Sequence, residues 1–151
     1  MEPTITDFDL NIRYLVYRFF AEECRAPVYQ EIASLCQAVP GDARDSFHKL
    51  HARHMIFLER GTDAIRMANP FSAVPTKFRV TSGPRAWWAN CAWDSLGIAA
   101  ALGVDVAIEA AYADVLENVA LRVSQGTIDG KGHVVYFPLP CRQWYDDLVF
   151  T

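Results

Sequence analysis

The chain has 151 residues, 52% hydrophobic and 21% charged, and carries a formal net charge of −4. That length suits one domain or two small lobes sharing a core, and so apolar a composition excludes a mainly disordered chain. The acidic balance argues against a non-specific nucleic-acid binder, whose affinity comes from neutralising phosphates, and no apolar run approaches the roughly 18 residues of a membrane span.

In chain order, Met1 to Asp9 shows neither the basic region nor the apolar stretch of a secretory signal, so a cytoplasmic location is expected. Phe8 to Glu23 places Leu10, Tyr14, Leu15, Tyr17, Phe19 and Phe20 at mostly helical spacing and predicts an amphipathic helix. Val28 to Cys36, opened by Pro27, predicts a second helix with Ile32 and Leu35 inward. Pro40-Gly41-Asp42 reads as a turn and cap to a third, Ala43 to His54, with Phe47, Leu50 and His51 on one face. Met55 to Leu58 and Ala64 to Ala68, around a turn at 60–63, read as a β-hairpin. Three helices and a hairpin make a winged-helix order, assigned to residues 1–68.

Residues 69–151 are expected to form a second, α+β lobe. Asn69 to Pro75 reads as an extended linker pinned by Phe71 and Val74. Lys77 to Thr81 alternates like a strand. Trp87 to Leu102 predicts a helix closed by Gly103, apolar enough to be buried all round. Strands are expected at Val104 to Ala110, Val119 to Val123, His133 to Phe137 and Leu148 to Phe150, with a turn at Asp129 to Gly132. The whole is a mostly antiparallel sheet packed on one buried helix.

Chemistry concentrates in Trp87-Trp88-Ala89-Asn90-Cys91-Ala92-Trp93-Asp94. Cys91 and Asp94 stand three apart, which on a helix places both on one face. A thiolate is the ligand a soft metal prefers. A desolvated carboxyl rises in pKa and becomes a proton carrier. Spacing alone leaves a second reading open, in which Cys91 fills core and Asp94 caps a buried backbone group. The other cysteines, Cys24, Cys36 and Cys141, form no CxxC pair with each other or with Cys91, so zinc-ribbon and thioredoxin-like chemistry is unsupported; Cys24 and Cys36 read as small buried hydrophobes.

Asn69-Pro70-Phe71-Ser72-Ala73-Val74-Pro75-Thr76, Phe78-Arg79-Val80, the block Trp87 to Ile98 and Ala100-Ala101-Leu102-Gly103 resemble the catalytic region of organomercurial (alkylmercury) lyases. The preceding lobe is similar to theirs too. The resemblance implies cleavage of a carbon–mercury bond, with Cys91 capturing mercury and Asp94 relaying a proton to the leaving carbon. It implies no cofactor beyond external thiols that collect Hg(II), and an organomercurial small molecule as partner. The family's second cysteine follows a segment similar to Trp144 to Thr151 and falls one position beyond Thr151, so the chain reads as incomplete before its second thiol. Cys141 is the substitute candidate as a mercury ligand beside Cys91 and Asp94.

His48, His51 and His54 recur every third residue, a spacing at which pairs share a metal, but no Cys, Asp or Glu completes a set and they read as surface and boundary residues. With Arg44, Lys49 and Arg53 they form a basic face. Two further readings therefore stand beside the lyase: a binding module that holds a soft metal or organomercurial without turnover, and a winged-helix DNA-binding regulator. Membrane partners are excluded, nucleic acid is disfavoured, and a homodimer through a free sheet edge is a further expectation.

Overall fold

The computed structural model describes residues 3–112, 115, 117–130, 132–137 and 139–144. Its first helix, α1 (Asp7–Glu23), starts where Thr6 caps it: the Thr6 hydroxyl takes the Asp9 N–H, and the Asp9 carboxylate takes the Thr6 N–H in return. The inward stripe of α1 is Asp9, Ile12, Val16 and Phe20. Leu10 and Tyr14, expected inside, are exposed, because the i, i+4 row through Ile12 wins the core. Helix α2 (Tyr29–Cys36) buries Ile32 and Ala33 and leaves Leu35 outside. Helix α3 (Pro40–Ala52) starts earlier than expected, with Pro40 as its first residue and Asp42 inside the first turn instead of capping it. Phe47 and Leu50 close the core against Ile12, Val16 and Phe20.

Eight strands form one antiparallel sheet in the order β1-β2-β3-β5-β4-β6-β7-β8. They are β1 (Phe57–Leu58), β2 (Ile65–Ala68), β3 (Phe71–Ser72), β4 (Arg79–Ser82), β5 (Arg85–Ala89), β6 (Val106–Ala111), β7 (Asn118–Ser124) and β8 (Thr127–Asp129). The fold is α+β, as expected. The stretch read as a linker instead supplies β3, which pairs with β2 through Met67↔Ser72 and Ala68↔Phe71 across a cis Asn69–Pro70 bond. The hairpin that follows the three helices is thus the first edge of the same sheet.

Phe71 ties the two ends of the chain's core together, its ring stacked on Phe20 at 5.3 Å. Trp87 does the same from β5, its indole N–H donating to the Phe20 carbonyl at 2.8 Å. That places Trp87 and Trp88 on a strand, not on the helix expected from Trp87 to Leu102. Alternation along β5 buries Trp87 and leaves Trp88 half-buried on the other face. Helix α4 (Ala92–Leu102) begins only after the strand ends, and Gly103 closes it in the left-handed region at φ 62°. It is not buried all round: Ser95, Ile98 and Ala99 face the sheet, while Trp93, Ala100 and Ala101 are exposed.

His133 to Phe137, expected as a strand, has no regular structure, and Asp129, expected in a turn, ends β8. The strand expected at Leu148 to Phe150 lies outside the described residues. Among the described residues no helix is long and apolar enough to cross a membrane.

Candidate active site

Cys91 sits where a central strand becomes a helix. β5 is paired on both sides, with β3 and β4, and ends at Ala89; Cys91 is then the N-cap of α4 in extended backbone at φ −149°. Its Sγ accepts the Asp94 N–H at 3.4 Å. Cys91 and Asp94 do meet, but as cap and third helical residue of one first turn, not as two points on a helix face.

Both protonation equilibria are shifted. Burial pushes the Cys91 thiol up, and the neighbouring Asp94 charge adds to it, against the backbone N–H groups of Asp94 and Trp93 that pull it down. Burial likewise raises the Asp94 carboxyl, against hydrogen bonds from Asn90 and Cys91 that lower it. Asn90 Nδ2 donates to Asp94 Oδ2 at 3.1 Å and lies 3.1–3.2 Å from three oxygens of the β2–β3 turn, Asn69 Oδ1 and the Pro70 and Phe71 carbonyls. Gly97 permits that turn to approach α4, since a Cβ there would stand 3.2 Å from Pro70 Cβ.

A family model for alkylmercury lyase matches residues 71–151 of this chain, more than half its length. The chain belongs to the alkylmercury lyase family. Among solved structures, the mercury-bound form of MerB2 superposes with a TM-score of 0.69 at 22% identity, covering 84% of this chain and 61% of that one. At that identity the likeness speaks for the fold, and the chain spans 61% of the length of that relative. A search of curated proteins gives no match.

In this lyase-family chain the three tryptophans of the block Trp87 to Asp94 have separate surroundings. Trp87 is committed to Phe20, and Trp88 lines a groove with Lys77 and Arg79; Trp93, exposed, lies in the first turn of α4 after Cys91. Its ring meets Phe137 edge-on at 6.2 Å, and Phe137 stacks on Trp144 at 5.2 Å. This aromatic row links Trp144 through Phe137 to the start of α4. Cys141 opens a single 3₁₀ turn, Cys141–Gln143; its side chain lies outside the described part of the structure. A cavity of about 340 Å³ opens next to Ala92 and Ser95, walled by Phe78, Tyr112 and Leu121.

The histidine face turns out to be paired with acids. His48 Nε2 lies 2.6 Å from Asp63 Oδ1, Lys49 Nζ lies 3.4 Å from Asp9, and Arg44 meets Asp45 at 3.4 Å. Asp63 of the hairpin turn is the acid that sequence reasoning missed. Among the described residues no group of three His, Cys, Asp or Glu side chains is placed to hold a metal ion. Asn90 was also missed. Its signal was its place before the cap, where an amide reaches both the preceding strand pair and the first turn of the helix.

Proposed function

We propose that this protein cleaves carbon–mercury bonds, with Cys91 capturing mercury and Asp94 carrying the proton. What carries the reading is one half-buried thiol and one desolvated carboxyl on the first turn of α4, where the Cys91 sulfur accepts the Asp94 backbone N–H at 3.4 Å. An alkyl- or arylmercury cation takes the place of the thiol proton on Cys91, and that proton passes to Asp94. The Asp94 carboxyl then protonates the carbon, the carbon–mercury bond breaks, and the hydrocarbon leaves with Hg(II) still on sulfur. Mercury is the substrate's own metal; no resident cofactor takes part, and external thiols carry Hg(II) away.

Hg(II) prefers two soft ligands. Cys141, in the 3₁₀ turn Cys141–Gln143, is the substitute candidate for the second soft ligand beside Cys91.

Titration with phenylmercury, with benzene followed by gas chromatography, tests the reading. Wild-type protein binds stoichiometrically and releases benzene; capture with no benzene at any protein concentration would reduce the protein to a binding module.

A further inference from the structure

The geometry points to Asn90 as the residue that positions the Asp94 carboxyl for proton delivery, an inference that rests on the lyase reading above. Asn90 occupies the single position between the end of β5 and the cap of α4. Its Nδ2 has two N–H groups and four oxygens in reach: Asp94 Oδ2 and Asn69 Oδ1 at 3.1 Å, and the Pro70 and Phe71 carbonyls at 3.2 Å. Its own Oδ1 is buried and has no hydrogen-bond partner among the described residues.

Those facts fix the amide's orientation. Turned over, the amide would set an oxygen against four oxygens, so the nitrogen must face them even though Oδ1 is left orphaned. The orphaned acceptor is a cost that a residue serving only as filler would avoid. One nitrogen therefore links the β2–β3 turn to the acid, and the turn is held by core packing, since Phe71 stacks on Phe20. The bond to Oδ2 engages one oxygen of Asp94. The other, Oδ1, is left to receive the proton that Cys91 gives up and to pass it to the substrate carbon. Positioning of this kind matters because a misplacement of about 1 Å in a reacting group costs on the order of 100-fold in rate.

A staple with no part in the reaction predicts something different. Loosening the turn would then impair capture by Cys91 and release of hydrocarbon alike. Positioning of Asp94 predicts a split between the two.

The test uses the whole chain with phenylmercury acetate as probe. Asn90→Ala is expected to capture phenylmercury with wild-type rate and stoichiometry, read by loss of free thiol, and to release benzene about 10- to 100-fold more slowly. Equal losses in both steps, or unchanged release, overturn the proposal. Should Asn90→Ala fail to fold, the side-chain amide signals of Asn90 in ¹H–¹⁵N spectra decide. On comparing wild type with Asp94→Ala, one Asn90 amide proton shifts as its Asp94 acceptor disappears; identical signals overturn the proposal. The same spectra separate this inference from the lyase reading. Wild-type protein that captures phenylmercury and never yields benzene removes the lyase reading, and the Asn90 signals then decide independently whether the amide holds Asp94.

Discussion

Helix α1 is capped by Thr6 and carries Asp9 three residues on; helix α4 is capped by Cys91 and carries Asp94 three residues on. In each, the cap side chain accepts the N–H of the acid, at 3.3 Å for Thr6 and 3.4 Å for Cys91. The carboxylates then part company. Asp9 receives the Thr6 N–H at 2.9 Å and its hydroxyl at 2.7 Å, and Lys49 stands 3.4 Å away. Burial pulls the Asp9 carboxyl up, but the bonds from Thr6 and the Lys49 charge pull it down, and it ends below the ordinary value. At Asp94 no reciprocal bond from the cap's backbone N–H is found among the described residues; Asn90 donates to its carboxylate and no described cation pairs with it. Burial wins there and the carboxyl rises. One local plan thus yields a structural clasp where a hydroxyl and a lysine complete it. With a thiol and an amide in their place it leaves a carboxyl that burial raises.

Replacing the cap should give the largest effect. Cys91→Ser removes the soft ligand, and capture of phenylmercury is expected to vanish. The hydroxyl is also the better helix cap, so stability should hold or rise by up to about 1 kcal/mol in urea unfolding. Stoichiometric phenylmercury binding by the serine variant would contradict the role given to sulfur. Asp94→Ala comes next: capture persists, and benzene release falls by about 100- to 10,000-fold, the range for loss of a general acid.

The two acids should also respond to pH with opposite signs. Asp94 is raised in the folded state, so its charge opposes folding above that raised value. The opposition fades as pH falls towards the ordinary carboxylate value of 3.8. Asp94→Asn is therefore expected to be more stable than wild type at neutral pH, with the gap closing in acid. Asp9 is lowered, so its contribution is present above 3.8 and is lost as pH falls through its folded value. Asp9→Ala should cost about 1–2 kcal/mol at neutral pH, the scale of a lost helix cap, and less in strong acid. Thermal unfolding of both variants across pH checks the signs; parallel curves would dissolve the contrast.

The sequence carried the α+β class and the three-helix-then-hairpin order, because helical spacing and turn residues are local signals. It also carried the pairing of Cys91 with Asp94, although for a different local reason: a cap and its third residue converge as surely as two points on a helix face. Three features escaped it. Trp87 and Trp88 were read into the helix because an apolar run looks alike in a buried strand and a buried helix; only pairing with β3 and β4 separates them. Ile12 and Val16 are smaller than the aromatics around them, yet burial follows the row that packs against Phe47 and Leu50 of α3. Asn90 drew no notice because its partners, Asn69 to Phe71, lie some twenty residues away and reach it only through the β3–β5 pairing.

The smallest expected effect probes how tightly the second of these helix starts is held. Gly97 lies one turn beyond Asp94, and an added Cβ would meet Pro70 Cβ at 3.2 Å, closer than comfortable contact. Pro70 cannot swing aside as a long side chain would, so the whole Asn69–Pro70 turn must yield. Alanine is the better helix former by up to about 1 kcal/mol, which offsets the crowding. Gly97→Ala should thus leave unfolding stability within about 1 kcal/mol of wild type while shifting the oxygens that surround Asn90. Benzene release should slow and phenylmercury capture should not. At α1 the clasp on Asp9 is made by Thr6 and Lys49. Unchanged release by Gly97→Ala would mean that the acid at α4 tolerates displacement of its turn, and that its placement comes from the helix alone.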